Sequence, residues 1–405
     1  MKEFETYTLS NGIRGIHRQV RSGVTHCALV VNAGSRDELP SEYGIAHFTE
    51  HALFKGTKRR RAYQVNCRLE NLGGELNAYT TKEDTTLHAT VMRHDFSRAV
   101  ELIADVIFRS TYPESELRKE REVIADEINT YKDSPSELIY DSFEDMLFSD
   151  SELGHNILGT KSSIARISTE HIARFVERTY TTDQMVFSSI GNFSVATARS
   201  VAERYLSGFA PTERKFSRQQ PVLSPQFDVR LSKHTHQAHG ILGARGYGIT
   251  DERRLPLALL VNILGGPSAN STLNLMLRER YGLSYNVEAS YTPYSDSGIV
   301  GIYFSSDHGN AEQCIELIEQ ETARLAREAV TPRRMAIAKR QFIAQMAISM
   351  ESNEGYMLGA GKSYLIYKDI DTLEEAYRKV MALTSEQLIE VAADSLSNLS
   401  KLIYK

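Results

Sequence analysis

The sequence predicts an α+β protein of two structurally similar domains, each a mostly antiparallel sheet packed with helices. Three observations point there. The chain has 405 residues, too long for one ordinary core and comfortable for two of roughly 200 residues each. A stretch without periodicity, PTERKFSRQQPVLSPQ, carries three prolines and marks a linker at 211–226. On either side of it the same order of patterns occurs, which predicts a first domain over 1–210 and a second over 227–405.

Residues 5–33 read as strands with a turn. Asn11-Gly12 is a hairpin signal, and THCALVVNAGS is rich in apolar and β-branched residues. Helices follow over 43–54 and 62–72. The Thr-rich GGELNAYTTKEDTTLHATVM predicts a hairpin with Gly73-Gly74 as its breaker. Three further helices span 95–108, 113–131 (Pro113 suits a first turn) and 136–148. Past the linker, QAHGILGARGYG repeats the strand, and RRLPLALLVNILGG repeats the helix that ends in a double glycine. NVEASYTPYSDSGIVGIYFSS then repeats the hairpin, and more helices follow.

Composition narrows the function classes. The apolar fraction is 41% and the charged fraction 24%, as in soluble globular proteins. A net charge of −5 gives no electrostatic reason to expect nucleic acid, whose binders usually carry a basic face, and the run Lys58-Arg59-Arg60-Arg61 is short enough to read as a solvated loop. Cys27, Cys67 and Cys314 are too few and too scattered for a disulfide framework or a thiolate metal site, which fits a reducing compartment. MKEFETYTLSNGIRG lacks the apolar stretch of a secretory signal, and no segment reads as membrane-spanning. The expectation is a cytoplasmic protein with neither nucleic acid nor membrane as partner.

The informative residues are His47-Phe48-Thr49-Glu50-His51. On a helix, His47 and His51 leave one face within reach of a single ion. Glu50 beside them could take a proton from metal-bound water without being a ligand. This is the inverted form of the H-E-x-x-H zinc motif. With 12 histidines in the chain, the pattern alone is moderate evidence, and two surface histidines beside an incidental glutamate is the bland reading. A catalytic site needs a third ligand and an open position. The helix after Pro113 offers Glu120 and Glu127, seven apart and on one face. Read alone, that helix is at least as well an exposed acidic face with i,i+4 pairs.

Residues 44–57, Gly-Ile-Ala-His-Phe-Thr-Glu-His-Ala-Leu-Phe-Lys-Gly-Thr, resemble the active-site segment of the pitrilysin/insulinase peptidases, the inverzincins. That family places a third zinc ligand, a glutamate, about 76 residues beyond the second histidine, a spacing that falls on Glu127. The resemblance implies one Zn²⁺ per chain on His47, His51 and Glu127, with Glu50 as catalytic base and Glu120 orienting a histidine. Asp126 points about 100° away around the helix. Gly73–Thr80 is similar to the family's edge strand, so Asn77 and Ala78 would meet an extended peptide substrate. Arg278-Glu-Arg-Tyr-Gly-Leu-Ser-Tyr285 resembles the signature in which an arginine and a tyrosine bind substrate and stabilise an oxyanion. Read alone, it is a helix end capped at Gly282. Two departures, Ser271-Thr272-Leu273 for the usual Ser-Arg-Leu and Tyr281 for an arginine, bear on substrate preference.

The family reading therefore implies a zinc endopeptidase acting on peptides or unfolded segments, with the domains facing each other as a clamshell half and the chains paired as homodimers. The competing reading is a non-catalytic or partner-dependent scaffolding subunit. Such chains usually lose residues of the metal motif, and this one keeps them. His234, His236 and His239 are set aside as the start of a strand, His88 and His94 as structural, and Gly265-Gly266-Pro267 as a helix-ending turn.

Overall fold

The structure, a computed structural model, describes residues 3–222, 224–233 and 235–405. The chain forms two compact units. In chain order the strands are β1 (Glu5–Thr8), β2 (Arg14–Gln19), β3 (Val24–Val31), β4 (Glu75–Thr80), β5 (Thr85–Met92), β6 (Met185–Gly191), β7 (Asp228–Leu231), β8 (Ala238–Gly246), β9 (Ser284–Pro293), β10 (Gly298–Ser306) and β11 (Ser400–Tyr404). The helices of the first half are α1 (Ile45–Leu53), α2 (Ala62–Glu70), α3 (Phe96–Arg109), α4 (Glu114–Lys132), α5 (Pro135–Leu147), α6 (Lys161–Ile164), α7 (Thr169–Thr179) and α8 (Val195–Leu206). Those of the second are α9 (Arg254–Gly265), α10 (Ala311–Leu325), α11 (Pro332–Ser349), α12 (Asn353–Tyr367), α13 (Leu373–Ala382) and α14 (Ser385–Ser395). Asn274–Arg280 forms a π-helical segment. No helix is long and apolar enough to cross a membrane.

The first unit holds a six-stranded sheet in the order β1-β2-β6-β3-β5-β4. Only β2 and β6 run parallel. Alternation along β3 explains why CALVV is apolar without a break. Cys27, Leu29 and Val31 join the core that contains residues of α1, α2, α3, α4, α7 and α8, while Ala28 and Val30 point to the other face and meet α12. Close approach there rests on Gly361, where an added Cβ would come within 3.0 Å of Ser188 Oγ and 3.2 Å of Val30 Cγ2.

The second unit holds a five-stranded sheet in the order β7-β11-β8-β10-β9, with β7 and β11 parallel. One face packs on residues of α9, α10, α11 and α14. The other is covered by α5 through Ile139, Phe143 and Leu147.

Each unit borrows a helix across the sequence. Residues 130–154 belong with the second unit and 348–372 with the first, so the units differ from the simple division 1–210 and 227–405, while the break between Gln219 and Gln220 falls inside the expected linker. The cause is that both faces of each sheet are apolar and need covering. The basic run also differs from a wholly solvated loop. Arg60 is half-buried and pairs with Asp105 at 2.6 Å and Glu101 at 2.8 Å, while Lys58, Arg59 and Arg61 are exposed. The three cysteines are free.

Candidate metal centre

The helix that carries the H-x-x-E-H residues is fixed at its start by groups outside the motif. Gly44 precedes α1 with φ +92°, a conformation that suits glycine, and an added Cβ would meet the Leu158 carbonyl oxygen at 2.8 Å. The buried Glu38 carboxylate accepts hydrogen bonds from the Gly44 and Ala46 backbone N–H groups, each at 2.8 Å. These are donors that α1 cannot satisfy internally, and a negative charge suits that end of a helix. His155 Nε2 lies 2.8 Å from Glu38 Oε2, and Tyr43 stacks on the His155 ring. Fully buried Phe48, Ala52 and Leu53 anchor other faces of α1.

His47 and His51 share one side of α1, with ring centroids 4.6 Å apart. Helix α4 brings Glu127 to them. Its Oε1 lies 3.7 Å from His47 Nε2, and its Oε2 lies 3.7 Å from His51 Nε2. One ligand atom from each residue lies within 4.8 Å of the others, the one such group of three found among the described residues. Asp126, the neighbour of Glu127, is not part of it.

Glu120, one helical repeat earlier on α4, accepts a hydrogen bond from His51 Nδ1 at 2.8 Å and pairs through its other oxygen with Lys55 Nζ at 2.6 Å. The first contact puts the His51 proton on Nδ1 and turns Nε2 toward Glu127. Burial pushes the Glu120 carboxyl up, but the bonds from His51 and Lys55 outweigh it and hold the group below the usual carboxylate range. Burial, reinforced by the neighbouring His51, pushes His47 down to about 3, so its imidazole is neutral. For His51, burial is outweighed by the bond to Glu120 and by the charges of Glu50, Glu120 and Glu127, which together raise it. Burial raises Glu50 as well, against the hydrogen bond that Thr80 Oγ1 donates to its Oε2 at 2.7 Å.

This donor set fits a divalent metal. Two imidazole nitrogens and one carboxylate are the ligand types zinc takes in catalytic sites. Lys55 pairs with Glu120, while Glu127 faces the two imidazoles, a place where a dication would balance its charge. His47 Nδ1 is buried without a hydrogen-bond partner among the described residues. The Glu127 side chain is 43% exposed, so one side of the group is open.

The remaining sequence-derived residues are placed as follows. Asn77 (exposed) and Ala78 (half-buried) lie on β4, which pairs with β5 at Asn77↔His88 and Ala78↔Leu87. β4 is an outer strand of its sheet, so one backbone edge has no partner strand among the described residues. Arg278 and Tyr285 belong to the second unit. Arg278 projects from the π-helical segment, 59% exposed and 3.8 Å from Glu279, and Tyr285 is 60% exposed on β9, its hydroxyl 3.2 Å from Asp307. His234 lies outside the described residues. His239 bonds the Tyr303 hydroxyl at 2.8 Å, His88 bonds Glu354 at 3.0 Å, and His94 lies 3.1 Å from Asp95.

Sequence reasoning missed Glu38, His155, Lys55 and Thr80. Lys55, four residues after His51, was the one open to detection, because that spacing keeps it beside the histidine at the helix end.

The description "Insulinase (Peptidase family M16)" matches residues 18–161, and "Peptidase M16 inactive domain" matches residues 166–342. A Bacillus subtilis (strain 168) protein named "Uncharacterized zinc protease YmxG" is 32% identical over 385 residues, 94% of this chain and 93% of the relative. A Rickettsia bellii "Uncharacterized zinc protease" is 32% identical over 369 residues, 90% of this chain and 88% of the relative. Among solved structures, a protease from Helicobacter pylori superposes with a TM-score of 0.92 at 20% identity, covering 100% of both chains. A Pseudomonas fluorescens "peptidase M16 inactive domain" gives 0.91 at 20% identity, covering 99% of this chain and 97% of that one. These two speak for the fold alone. The extent and level of the sequence matches place this chain in the insulinase family of peptidases, family M16.

Proposed function

We propose that the chain is a zinc-dependent endopeptidase. The observation that carries the reading is the convergence of His47, His51 and Glu127 within 4.8 Å, with the half-buried Glu50 beside them. When bound there, zinc supplies Lewis acidity, lowering the pKa of a water and polarising a peptide carbonyl. The rest of the reaction falls to the protein. Thr80 holds Glu50 through Oε2, leaving Oε1 to take one proton from the attacking water. The hydroxide so formed adds to the carbonyl carbon, the C–N bond breaks, and Glu50 returns the proton to the departing amine nitrogen. A carboxyl whose pKa is raised suits that exchange better than an ordinary exposed one. Glu120 and Lys55 keep His51 in the tautomer that offers Nε2.

The edge of β4 that has no partner strand among the described residues supports an extended peptide as substrate, paired strand to strand with Asn77 and Ala78 facing it, since β4 also carries Glu50's partner Thr80. The exposed Arg278 and Tyr285 are proposed to contact substrate. The homodimer and a cytoplasmic location stay within the proposal. The test is cleavage of a quenched, unstructured peptide library by zinc-loaded protein, with Glu50→Gln in parallel. Cleavage lost in the variant is the expected result. Zinc binding without cleavage by either protein would turn the reading toward a scaffolding or partner-dependent subunit, and equal cleavage by both would overturn Glu50 as base.

A further inference from the structure

The second unit contains a cavity of about 310 Å³ beside the N-terminus of α11, between that helix and the segment that follows α9. Its polar lining is unusual in three respects. Arg333 and Arg334 both line it from the first turn of α11. The helix dipole makes that end positive, so a cation there is disfavoured unless an anion offsets it. Among the described residues no carboxylate does so. Arg333 is exposed without an ion pair, and the Arg334 guanidinium donates only to the Thr272 hydroxyl.

Ser271, 4% exposed, lines the same cavity, and its buried Oγ has no hydrogen-bond partner. A buried hydroxyl is almost always partnered in a native protein. Asn270 completes the rim. Its Oδ1 already accepts from Gln341 at 3.1 Å, which leaves the amide N–H groups to donate elsewhere. Every free polar group named here is therefore a donor, or a hydroxyl able to become one, and two of them carry full charge.

We propose that this cavity binds a phosphate group, held by the guanidinium groups of Arg333 and Arg334, the Ser271 hydroxyl and the Asn270 amide. Two arginines reinforced by a helix terminus suit a dianion better than a single carboxylate. The cavity is also lined by Ile263, Leu275 and Ile337, so the phosphate is either inorganic or the head of a small monoester whose body lies on that apolar wall. The site is built from second-unit residues alone and does not depend on the peptidase reading. Its residues lie about sixty positions apart in sequence, which is why no local motif marks it.

The experiment is calorimetric titration of the full chain, metal-free and at constant ionic strength, with inorganic phosphate and separately with phenyl phosphate. The expected result is saturable binding of one ligand per chain, weakened at least tenfold by Arg333→Gln and several-fold by Ser271→Ala. Because Arg333 is exposed, its substitution leaves folding intact, and circular dichroism checks this. Phenyl phosphate binding at least tenfold tighter than phosphate identifies a monoester as the occupant, and equal or weaker binding identifies the inorganic ion. No saturable binding of either at millimolar concentration, or binding that Arg333→Gln leaves unchanged, overturns the proposal.

Discussion

Replacing Glu120 tests whether the residue that touches His51 governs zinc retention. In Glu120→Gln the side chain can still accept the His51 Nδ1 proton, but the charge is gone and an amide NH₂ turns toward Lys55 Nζ, donor against donor. The contact changes from a charge-assisted hydrogen bond of about 1.5–3 kcal/mol to a neutral one of about 0.5–1.5. The difference, about 1–1.5 kcal/mol, is close to a tenfold change in dissociation constant. Solvent screening takes little of this away, since the Glu120 side chain is 6% exposed and those of His51 and Lys55 are 22% and 24%. Glu120→Ala removes the acceptor altogether and is expected to weaken zinc by about 10–100-fold. Competition with a chromophoric chelator at neutral pH reads both numbers, and far-ultraviolet circular dichroism reports whether α4 persists. If both variants bind zinc within twofold of the wild type, Glu120 does not set the His51 tautomer and the argument fails.

The other predictions probe different links. Glu50→Gln should retain zinc and lose cleavage by a factor on the order of 10²–10⁴, so a variant that loses zinc instead would recast Glu50 as a ligand. Glu38→Ala strips an acceptor from two backbone N–H groups of α1, at about 1–3 kcal/mol each, and scanning calorimetry should show the first unit melting lower by on the order of 10 °C; an unchanged transition would rule out the cap. Phe143→Ala, in the helix that the first half of the chain lends to the second unit, should cost about 3–5 kcal/mol. Hydrogen exchange should then accelerate in β8, β10 and β11 but not in β3 or β6, and the reverse pattern would contradict the exchange of helices. Arg278→Ala and Tyr285→Phe should lower kcat/KM while leaving zinc affinity unchanged, and wild-type kinetics in both would remove them from the substrate contacts.

How much of this was legible in the sequence depends on the range of each interaction. The spacing of His47 and His51 dictates a shared helix face, and the expected helices over 43–54 and 113–131 correspond to α1 at 45–53 and α4 at 114–132. The side chains of His47, His51 and Glu127 do come together, although Glu127 was singled out by the resemblance and not by its own helix pattern. The placement of α5 and α12 was not legible. Amphipathic spacing says that a helix has an apolar face, but it does not say which of two similar sheets that face will cover. Glu38 escaped for a related reason. An acid six residues before Gly44 in a loop has no periodic signature, and its role exists only because two N–H groups of α1 converge on it.

The two units also show how little of the chemistry belongs to the fold. Both follow the order strand, helix, hairpin, helix around a mixed sheet. In the second unit the helix after β8, α9, buries Leu257, Leu259, Leu260, Val261, Ile263 and Leu264 and carries no titratable side chain beyond Arg254. In the first unit α1 gives up part of that apolar surface to His47 and Thr49, leaves His51 and Glu50 half-buried, and needs a buried carboxylate to hold its start. Such a helix is a poorer core element than α9, because each buried polar group requires a partner or is destabilising. Its partners come from α4 and β4, which supply Glu127, Glu120 and Thr80, and two of those three lie more than sixty residues from the motif. Among the described residues the first unit holds a candidate metal-ligand group and the second holds none, although both are built on the same order of elements. What differs is whether a second helix delivers carboxylates to a helix that already carries imidazoles.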